Sequence, residues 1–152
     1  MGREGLSIRV AGLSSLPSAA RKPGKIAAAV ARAFALEGPH RRGEVSIVFV
    51  SRSEMRSLNL QYLGHDYDTD VVTFQHEAVP GVPSDETPLG DIYISSWMAA
   101  RQARELGHGV LHEALTLAVH GALHLLGHDD QAPRRKALMF RRQDEILAEL
   151  EA

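Results

Sequence analysis

One stretch in the C-terminal half limits what this chain can fold into. Residues 110–126 have the spacing of a helix, and apolar side chains occur on nearly every side of it. These side chains are Val110, Leu111, Ala114, Leu115, Leu117, Ala118, Val119, Ala122, Leu123, Leu125 and Leu126. A helix that is apolar all round is buried. We therefore predict that residues 110–126 form a central helix with other elements packed around it.

Two histidines lie on this otherwise apolar helix. His120 and His124 are four residues apart, so their imidazoles stand one turn above each other on the same face. Burying a polar ring is unfavourable unless the ring finds a partner. A cation shared by the two rings would satisfy both of them, and the pattern therefore predicts a metal site.

A third ligand is expected just after the helix. Gly127 takes a positive φ without steric cost, which is a usual way to end a helix. The chain can then turn back toward the imidazoles, and the spacing from Gly127 favours Asp130. His128 is a competing ligand that can point away because it follows the turn directly, and Asp130 could instead cap the next helix. His112 shares the helix face of His120 but lies about 12 Å away, too far to bind the same ion.

Three protein ligands would leave one coordination position of a zinc ion open to water. This is the arrangement of catalytic rather than structural zinc sites. We therefore predict one zinc ion per chain, bound by His120, His124 and Asp130.

Hydrophobic periodicity over the rest of the chain predicts one α+β domain spanning residues 1–152. About four strands form a mixed sheet, and about five helices pack with it around the ligand helix. The predicted strands are 6–10, 44–50, 71–74 and 89–95, and the predicted helices are 25–36, 51–63, 96–106, 110–126 and 133–149. The strand 44–50 is apolar on both faces, which indicates a central position.

Local signals add detail to these elements. The residues 51–54 have the form of a capping box, and Ser96 is predicted to cap the third helix. Gly90 indicates a bulge or a close backbone approach within its strand. The core-facing positions are predicted to be Met55, Leu58 and Tyr62 on the second helix, and Ala137, Phe140, Ile146 and Leu150 on the last one.

The composition is that of an ordinary soluble domain. The chain has 152 residues, a net charge of −2 and no cysteine, which excludes disulfides and thiolate metal sites. We see neither a transmembrane stretch nor the apolar core of a signal peptide, so we expect a cytoplasmic protein without a membrane partner. The net charge does not indicate a nucleic-acid binder. Arginine clusters such as Arg41-Arg42 and Arg141-Arg142 could still present a local phosphate-binding face, or simply a solvated helix surface.

Four segments of the chain carry a further pattern. Residues 58–62 read LNLQY, residues 68–74 read DTDVVTF, residues 89–94 read LGDIYI and residues 119–127 read VHGALHLLG. Together and in this order they resemble the signature of the YbeY family of metal-dependent endoribonucleases, also described as ribosomal-RNA maturation factors. The resemblance covers most of the chain.

The resemblance implies zinc held by three protein ligands and cleavage of single-stranded RNA. It also implies a role in small-subunit ribosomal-RNA processing and ribosome quality control, with ribosomal RNA and the small subunit as partners and no DNA. A zinc ion with an open position lowers the pKa of bound water to about 7 and polarises a phosphate. We therefore predict hydrolysis or transesterification of RNA at His120, His124 and Asp130, with the general base unassigned.

The chain departs from the family pattern at two positions. The family usually has His where this chain has Asp130, and often has Arg where this chain has Leu63. His65 is a candidate substitute for that Arg, and the alternative is an ordinary loop histidine. Asp91 could orient a ligand imidazole, or could simply bind backbone amides at the start of its strand.

Two other functions are compatible with the sequence. One is a non-enzymatic ribosome assembly factor whose metal is structural. The other is a zinc peptidase, because the ligand spacing is similar to that of metzincin proteases. In those enzymes a Glu directly after the first His is the general base, and this chain has Gly121 there.

Overall fold

The helix predicted to be central lies in the middle of an α+β architecture. The computed structural model describes residues 5–76, 80–81 and 88–151. In this part of the chain the elements are β1 (Leu6–Ala11), α1 (Pro23–Glu37), β2 (Gly43–Val50), α2 (Arg52–Leu63), β3 (Val71–Gln75), β4 (Pro88–Ser95), α3 (Ser96–Leu106), α4 (Val110–Leu125) and α5 (Pro133–Glu151). Two short 3₁₀ turns connect β1 to α1. None of the described helices combines the length and the apolar character needed to cross a membrane.

The four described strands form one mixed sheet in the order β1-β2-β4-β3. The strands β1, β2 and β4 are parallel, and β3 runs antiparallel to β4 at one edge. This confirms the predicted fold class and the central position of β2. The register between β2 and β4 shifts where Pro88 pairs with Glu44 and Gly90 pairs with Val45, so an irregularity lies next to Gly90 as predicted.

Alternation along β2 separates two apolar layers. Val45, Ile47 and Phe49 point into the main core, while Val48 and Val50 belong to a smaller cluster on the other face. In the main core, α4 contacts the helices α1, α3 and α5 as well as the strands β3 and β4. The helix α4 is therefore surrounded by other elements, which is the arrangement that its apolar faces predict.

The predicted capping box of α2 and the core-facing positions Met55 and Leu58 are confirmed, whereas the core-facing position of Tyr62 is wrong. Ser51 and Glu54 form the predicted reciprocal capping box, and Met55 is buried. Tyr62, predicted to face the core, is 58% exposed, and Asn59 is buried instead. The amide of Asn59 donates a hydrogen bond to the backbone oxygen of Tyr67 at 2.9 Å, which allows this polar side chain to be buried.

The start of α3 and the buried stripe of α5 also differ from the prediction. The N-cap of α3 is Ser95, whose hydroxyl accepts a hydrogen bond from the backbone N–H of Met98, and not Ser96. In α5, Ala137 and Phe140 are exposed although Ile146 is buried. The buried stripe consists of Met139, Gln143, Ile146 and Leu147. The helix is therefore rotated relative to the predicted stripe, and this rotation places a polar side chain against α4.

Candidate metal centre

Two glycines allow α4 to lie directly against the sheet. A Cβ atom at Gly121 would be 2.5 Å from Cγ2 of Ile92, and one at Gly90 would be 2.6 Å from Cδ2 of Leu125. Neither distance is compatible with van der Waals contact, so any larger residue would push the helix away from the strands. Because the helix packs on the sheet in this way, His120 and His124 project to one side of it, toward α5.

The turn after α4 has the hydrogen bonds of a Schellman motif. Gly127 has φ +98°, and its N–H donates to the oxygen of His124. The N–H of His128 donates to the oxygen of Leu123 at 3.0 Å. These two bonds end the helix and reverse the chain direction. The predicted role of Gly127 is thus confirmed, and the reversal brings Asp130 back toward the two imidazoles.

The three side chains predicted as ligands lie together in space. One ligand atom from each of His120, His124 and Asp130 lies within 4.8 Å of the other two. The Nε2 atoms of His120 and His124 are 3.2 Å apart. Two nitrogens that each lie about 2.0–2.1 Å from one tetrahedral zinc ion would be roughly 3.3–3.4 Å apart. Both histidines are half-buried and Asp130 is exposed, so the group has the donor types, the spacing and the solvent access of a site that could bind a metal ion.

Gln143 fixes the orientation of the His120 ring. The Nδ1 atom of His120 and Oε1 of Gln143 are 2.7 Å apart, and Gln143 is 5% exposed. An amide oxygen only accepts hydrogen bonds, so His120 Nδ1 must be the donor in this contact. In the neutral ring the lone pair then lies on Nε2, which faces His124. This is the partner and the tautomer that a metal-binding histidine requires.

The environment of His124 favours the neutral ring. Burial lowers the pKa of His124, and the neighbouring His120 lowers it further. The Asp130 carboxylate and a hydrogen bond to the backbone of His128 oppose this effect only in part. A neutral imidazole is the form that binds metal ions, so the local electrostatics suit that chemistry.

The residues next to Asp130 are held by other partners. Nε2 of His128 lies 2.9 Å from Oε1 of Glu37, which also pairs with Arg142 at 3.4 Å. Asp129 pairs with Arg135 at 3.2 Å. Because the side chain of His128 contacts Glu37 of α1 instead of the imidazoles of His120 and His124, the structure places this ring away from the cluster.

The remaining candidate residues lie outside the cluster. The ring of His112 packs against His108, with 4.4 Å between the ring centroids. The carboxylate of Asp91 lies 2.9 Å from Nε2 of His76 and not next to a predicted ligand. His65 lies on an exposed turn and shares a hydrogen bond with the hydroxyl of Tyr67, whereas Leu63 is 48% exposed at the end of α2.

The cluster opens into a cleft of about 370 Å³. Its floor is α4, and both α3 and α5 contribute to its lining, which includes Asp70, Gln102, Glu113, Lys136, Phe140 and Gln143 together with His120 and Asp130. Sequence reasoning missed Gln143 and Glu113, which are both buried. The available signal was a polar residue within an otherwise apolar helical stripe.

Fold and cluster together define an α+β domain with a His-His-Asp group that could hold one metal ion. The family model described as "Endoribonuclease YbeY" matches residues 18–151. The chain belongs to the YbeY family.

Individual relatives agree with this assignment. The Endoribonuclease YbeY of Elusimicrobium minutum is 39% identical over 126 residues, which cover 83% of this chain and 87% of that protein. The Endoribonuclease YbeY of Pelotomaculum thermopropionicum is 44% identical over 117 residues, covering 75% and 76%. The solution structure of TM1509 from Thermotoga maritima has a TM-score of 0.62 and 27% identity, and the match covers 94% of this chain and 88% of that one.

Proposed function

We propose that this chain is a zinc-dependent endoribonuclease that cleaves single-stranded RNA at the cleft above α4. His120, His124 and Asp130 are the zinc ligands, and residues 1–152 form the catalytic domain. The observation that carries the proposal is the convergence of one possible ligand atom from each residue within 4.8 Å, beside a cleft that His120 and Asp130 line. Membership of a family described as endoribonucleases supplies the reaction type.

The donor set favours zinc. Two imidazole nitrogens and one carboxylate oxygen are common protein ligands of zinc, and three of them leave a position for water or substrate. Zinc bound there would supply a Lewis acid that activates water near neutral pH and polarises a phosphoryl oxygen.

Residues around the proposed zinc site orient its ligands and set their charge. Gln143 holds the His120 ring with Nδ1–H donating, so that Nε2 carries the lone pair at the cluster. Burial lowers the pKa of His124, which favours the neutral form. Asp130 supplies a negative charge from the exposed side of the cluster, where an RNA strand can approach. The helix α4 keeps the two imidazoles in place because it is packed on several sides.

The cellular role follows from the family. We propose that the RNA is ribosomal RNA of the small subunit, that the protein acts in its processing and in ribosome quality control, and that this takes place in the cytoplasm. DNA is not expected to be cleaved. The 2′-hydroxyl group is the chemical feature by which a protein can distinguish the two nucleic acids.

The packing of Gly121 argues against the peptidase alternative. In metzincin proteases the residue after the first histidine is a catalytic Glu. A side chain at position 121 would meet Ile92 and Thr73 of the sheet instead of the cleft. No carboxylate at that position could act as a general base at the cluster.

The decisive experiment compares RNA and protein substrates with and without metal. We expect the zinc-loaded protein to cleave a labelled single-stranded RNA, to lose this activity with a chelator and to regain it with zinc, and to leave casein intact. His120→Ala should abolish both stoichiometric zinc binding and cleavage. Ribosome association that survives His120→Ala, with no cleavage by the zinc-loaded wild type, would instead identify an assembly factor.

A matched pair of variants tests the third ligand. Asp130→Ala should lower zinc affinity strongly, whereas His128→Ala should lower it less because His128 contacts Glu37. Zinc affinity measured by chelator competition distinguishes the two variants. The reverse order of effects would show that His128 and not Asp130 completes the ligand set.

A further inference from the structure

Two large apolar side chains are exposed in the cleft beside the His120, His124 and Asp130 group. Leu106 of α3 is 66% exposed and Phe140 of α5 is 39% exposed, and both line the cleft with His120 and Asp130. Single exposed apolar residues are common on protein surfaces and need no explanation. Here, however, two of them line the same narrow cleft, contributed by different helices, next to the candidate catalytic group.

The Phe140 ring is held beside the cluster. Its centroid lies 5.6 Å from that of His120, at an interplanar angle of 47°. The contact with His120 covers part of the ring, and the remaining exposed surface is available to a ligand in the cleft. An exposed aromatic face of this kind is what single-stranded nucleic-acid sites use to stack a base.

A lysine lies next to Phe140 on α5. Lys136 precedes Phe140 by one helical turn, and both side chains line the cleft. Arg135 and Arg142 on the same helix are paired with Asp129 and Glu145. Among the residues that the structure describes, Lys136 has no carboxylate partner. Its ammonium group is therefore available to a phosphate.

The cleft has room for one unpaired nucleotide. Its volume of about 370 Å³ lies at the small end of the range of roughly 300–1,000 Å³ for ligand pockets. The carboxylates deeper in the lining are engaged, because Asp70 accepts a hydrogen bond from Gln102, and Glu113 pairs with His108. Lys136 and Phe140 thus remain as the phosphate-binding and base-binding groups of the wall formed by α5.

We infer that Phe140 stacks on an unpaired base of the RNA next to the scissile position and that Lys136 binds an adjacent phosphate. This inference rests on the proposed nuclease function. It assigns to Phe140 the selection of single-stranded RNA. In a duplex the bases are already paired and stacked, so their faces are not accessible to a protein ring. The ring of Phe140 would therefore favour single-stranded over double-stranded RNA.

The test measures binding and cleavage by the zinc-loaded protein with variants of Phe140. Phe140→Leu keeps an apolar contact with His120 but removes the aromatic face, and Phe140→Trp restores a stacking surface. We expect Phe140→Leu to weaken binding of a non-cleavable 2′-O-methyl single strand by about fivefold or more. Phe140→Trp should bind at least as well as the wild type. Tyr67→Leu removes an exposed aromatic ring outside the cleft and should have no effect.

Kinetics separate stacking from a purely structural role. Loss of stacking should raise KM for single-stranded RNA with little change in kcat, and zinc affinity should be unchanged. If Phe140 only supports the His120 ring, Phe140→Leu would instead lower zinc affinity and kcat. That result would overturn the inference, and so would unchanged binding of the single strand by Phe140→Leu.

Salt dependence tests the phosphate contact. Lys136→Gln should reduce the slope of log affinity against log salt concentration by about 0.7 for a single strand, and Arg134→Gln should not. An unchanged slope for Lys136→Gln would refute the role of Lys136. If the zinc-loaded wild type neither binds nor cleaves the RNA, the proposed nuclease function fails as well. If the wild type cleaves RNA and Phe140→Leu behaves identically, only the stacking inference fails.

Discussion

Replacing Gln143 by Met tests the orientation of His120 in the proposed metal site more directly than removing a proposed ligand does. Gln143 is 5% exposed, and its Oε1 lies 2.7 Å from Nδ1 of His120. Met has a similar length and volume but has no strong acceptor, so the packing of α5 should be retained. In the variant, the His120 proton is no longer held on Nδ1. The tautomer with the proton on Nε2 then becomes competitive, and this tautomer has no lone pair on the nitrogen that faces His124.

The expected size of the effect follows from this hydrogen bond. A buried hydrogen bond contributes about 0.5–1.5 kcal/mol, and the upper end suits a short, largely buried contact. A penalty of about 1.4 kcal/mol corresponds to a tenfold loss of zinc affinity. Loss of an outer-shell partner of a metal-binding histidine costs about 10–100-fold, which is consistent with this figure.

The assay is competition for zinc between the protein and a chelator of known affinity. Gln143→Glu is the matched control because it retains an acceptor at the same position, and it should bind zinc at least as tightly as the wild type. Urea unfolding of the zinc-free proteins checks that the variants are folded. Wild-type zinc affinity in Gln143→Met would refute the assignment of Gln143 as the group that orients His120.

Three further outcomes test the packing and the caps. Gly90→Ala should destabilise the fold by about 1–3 kcal/mol in urea unfolding, because the added Cβ would lie 2.6 Å from a Leu125 methyl group. Gly24→Ala, in the first turn of α1 with open space around it, should instead be neutral or stabilising by up to about 1 kcal/mol. Hydrogen bonds from Ser51 lower the pKa of the Glu54 carboxyl. Its contribution to stability is therefore complete above the unfolded-state pKa and is lost as the pH falls through the folded-state pKa. The stability difference between wild type and Glu54→Gln should accordingly shrink on acidification, as measured by chemical unfolding across that range, and a difference independent of pH would contradict this assignment.

The helix α4 and the turn that follows it were predictable because their signals are local. An apolar pattern of this length indicates burial, two histidines four residues apart share a face, and Gly127 ends the helix within the same segment. The return of Asp130 follows from the turn. The apolar residues on both faces of β2 likewise predicted its central position. These inferences needed only residues that are close in sequence.

The residues that contact His120 and His128 were not predictable from local sequence. Gln143 reaches His120 only because α5 is rotated so that Met139, Gln143 and Ile146 face inward, and this rotation depends on packing against α4 and α1. The contact between His128 and Glu37 joins residues that are 91 positions apart. Asn59 was not predicted to be buried, because its hydrogen-bond partner, the backbone oxygen of Tyr67, lies in the loop that follows α2.

The Schellman turn after α4 divides the proposed ligands between two regions of different local stability. His120 and His124 belong to a helix surrounded by other elements, whose amide protons should exchange with solvent only through large-scale opening of the protein. Asp130 lies beyond the turn and is exposed, so we expect its segment to open at a lower free-energy cost than the helix does. We therefore expect a bound ion to enter and leave when the segment that carries Asp130 moves, while the two imidazoles keep their positions. In a hydrogen-exchange experiment, zinc should slow the exchange of the amide protons of residues 127–132 far more than that of residues 114–124.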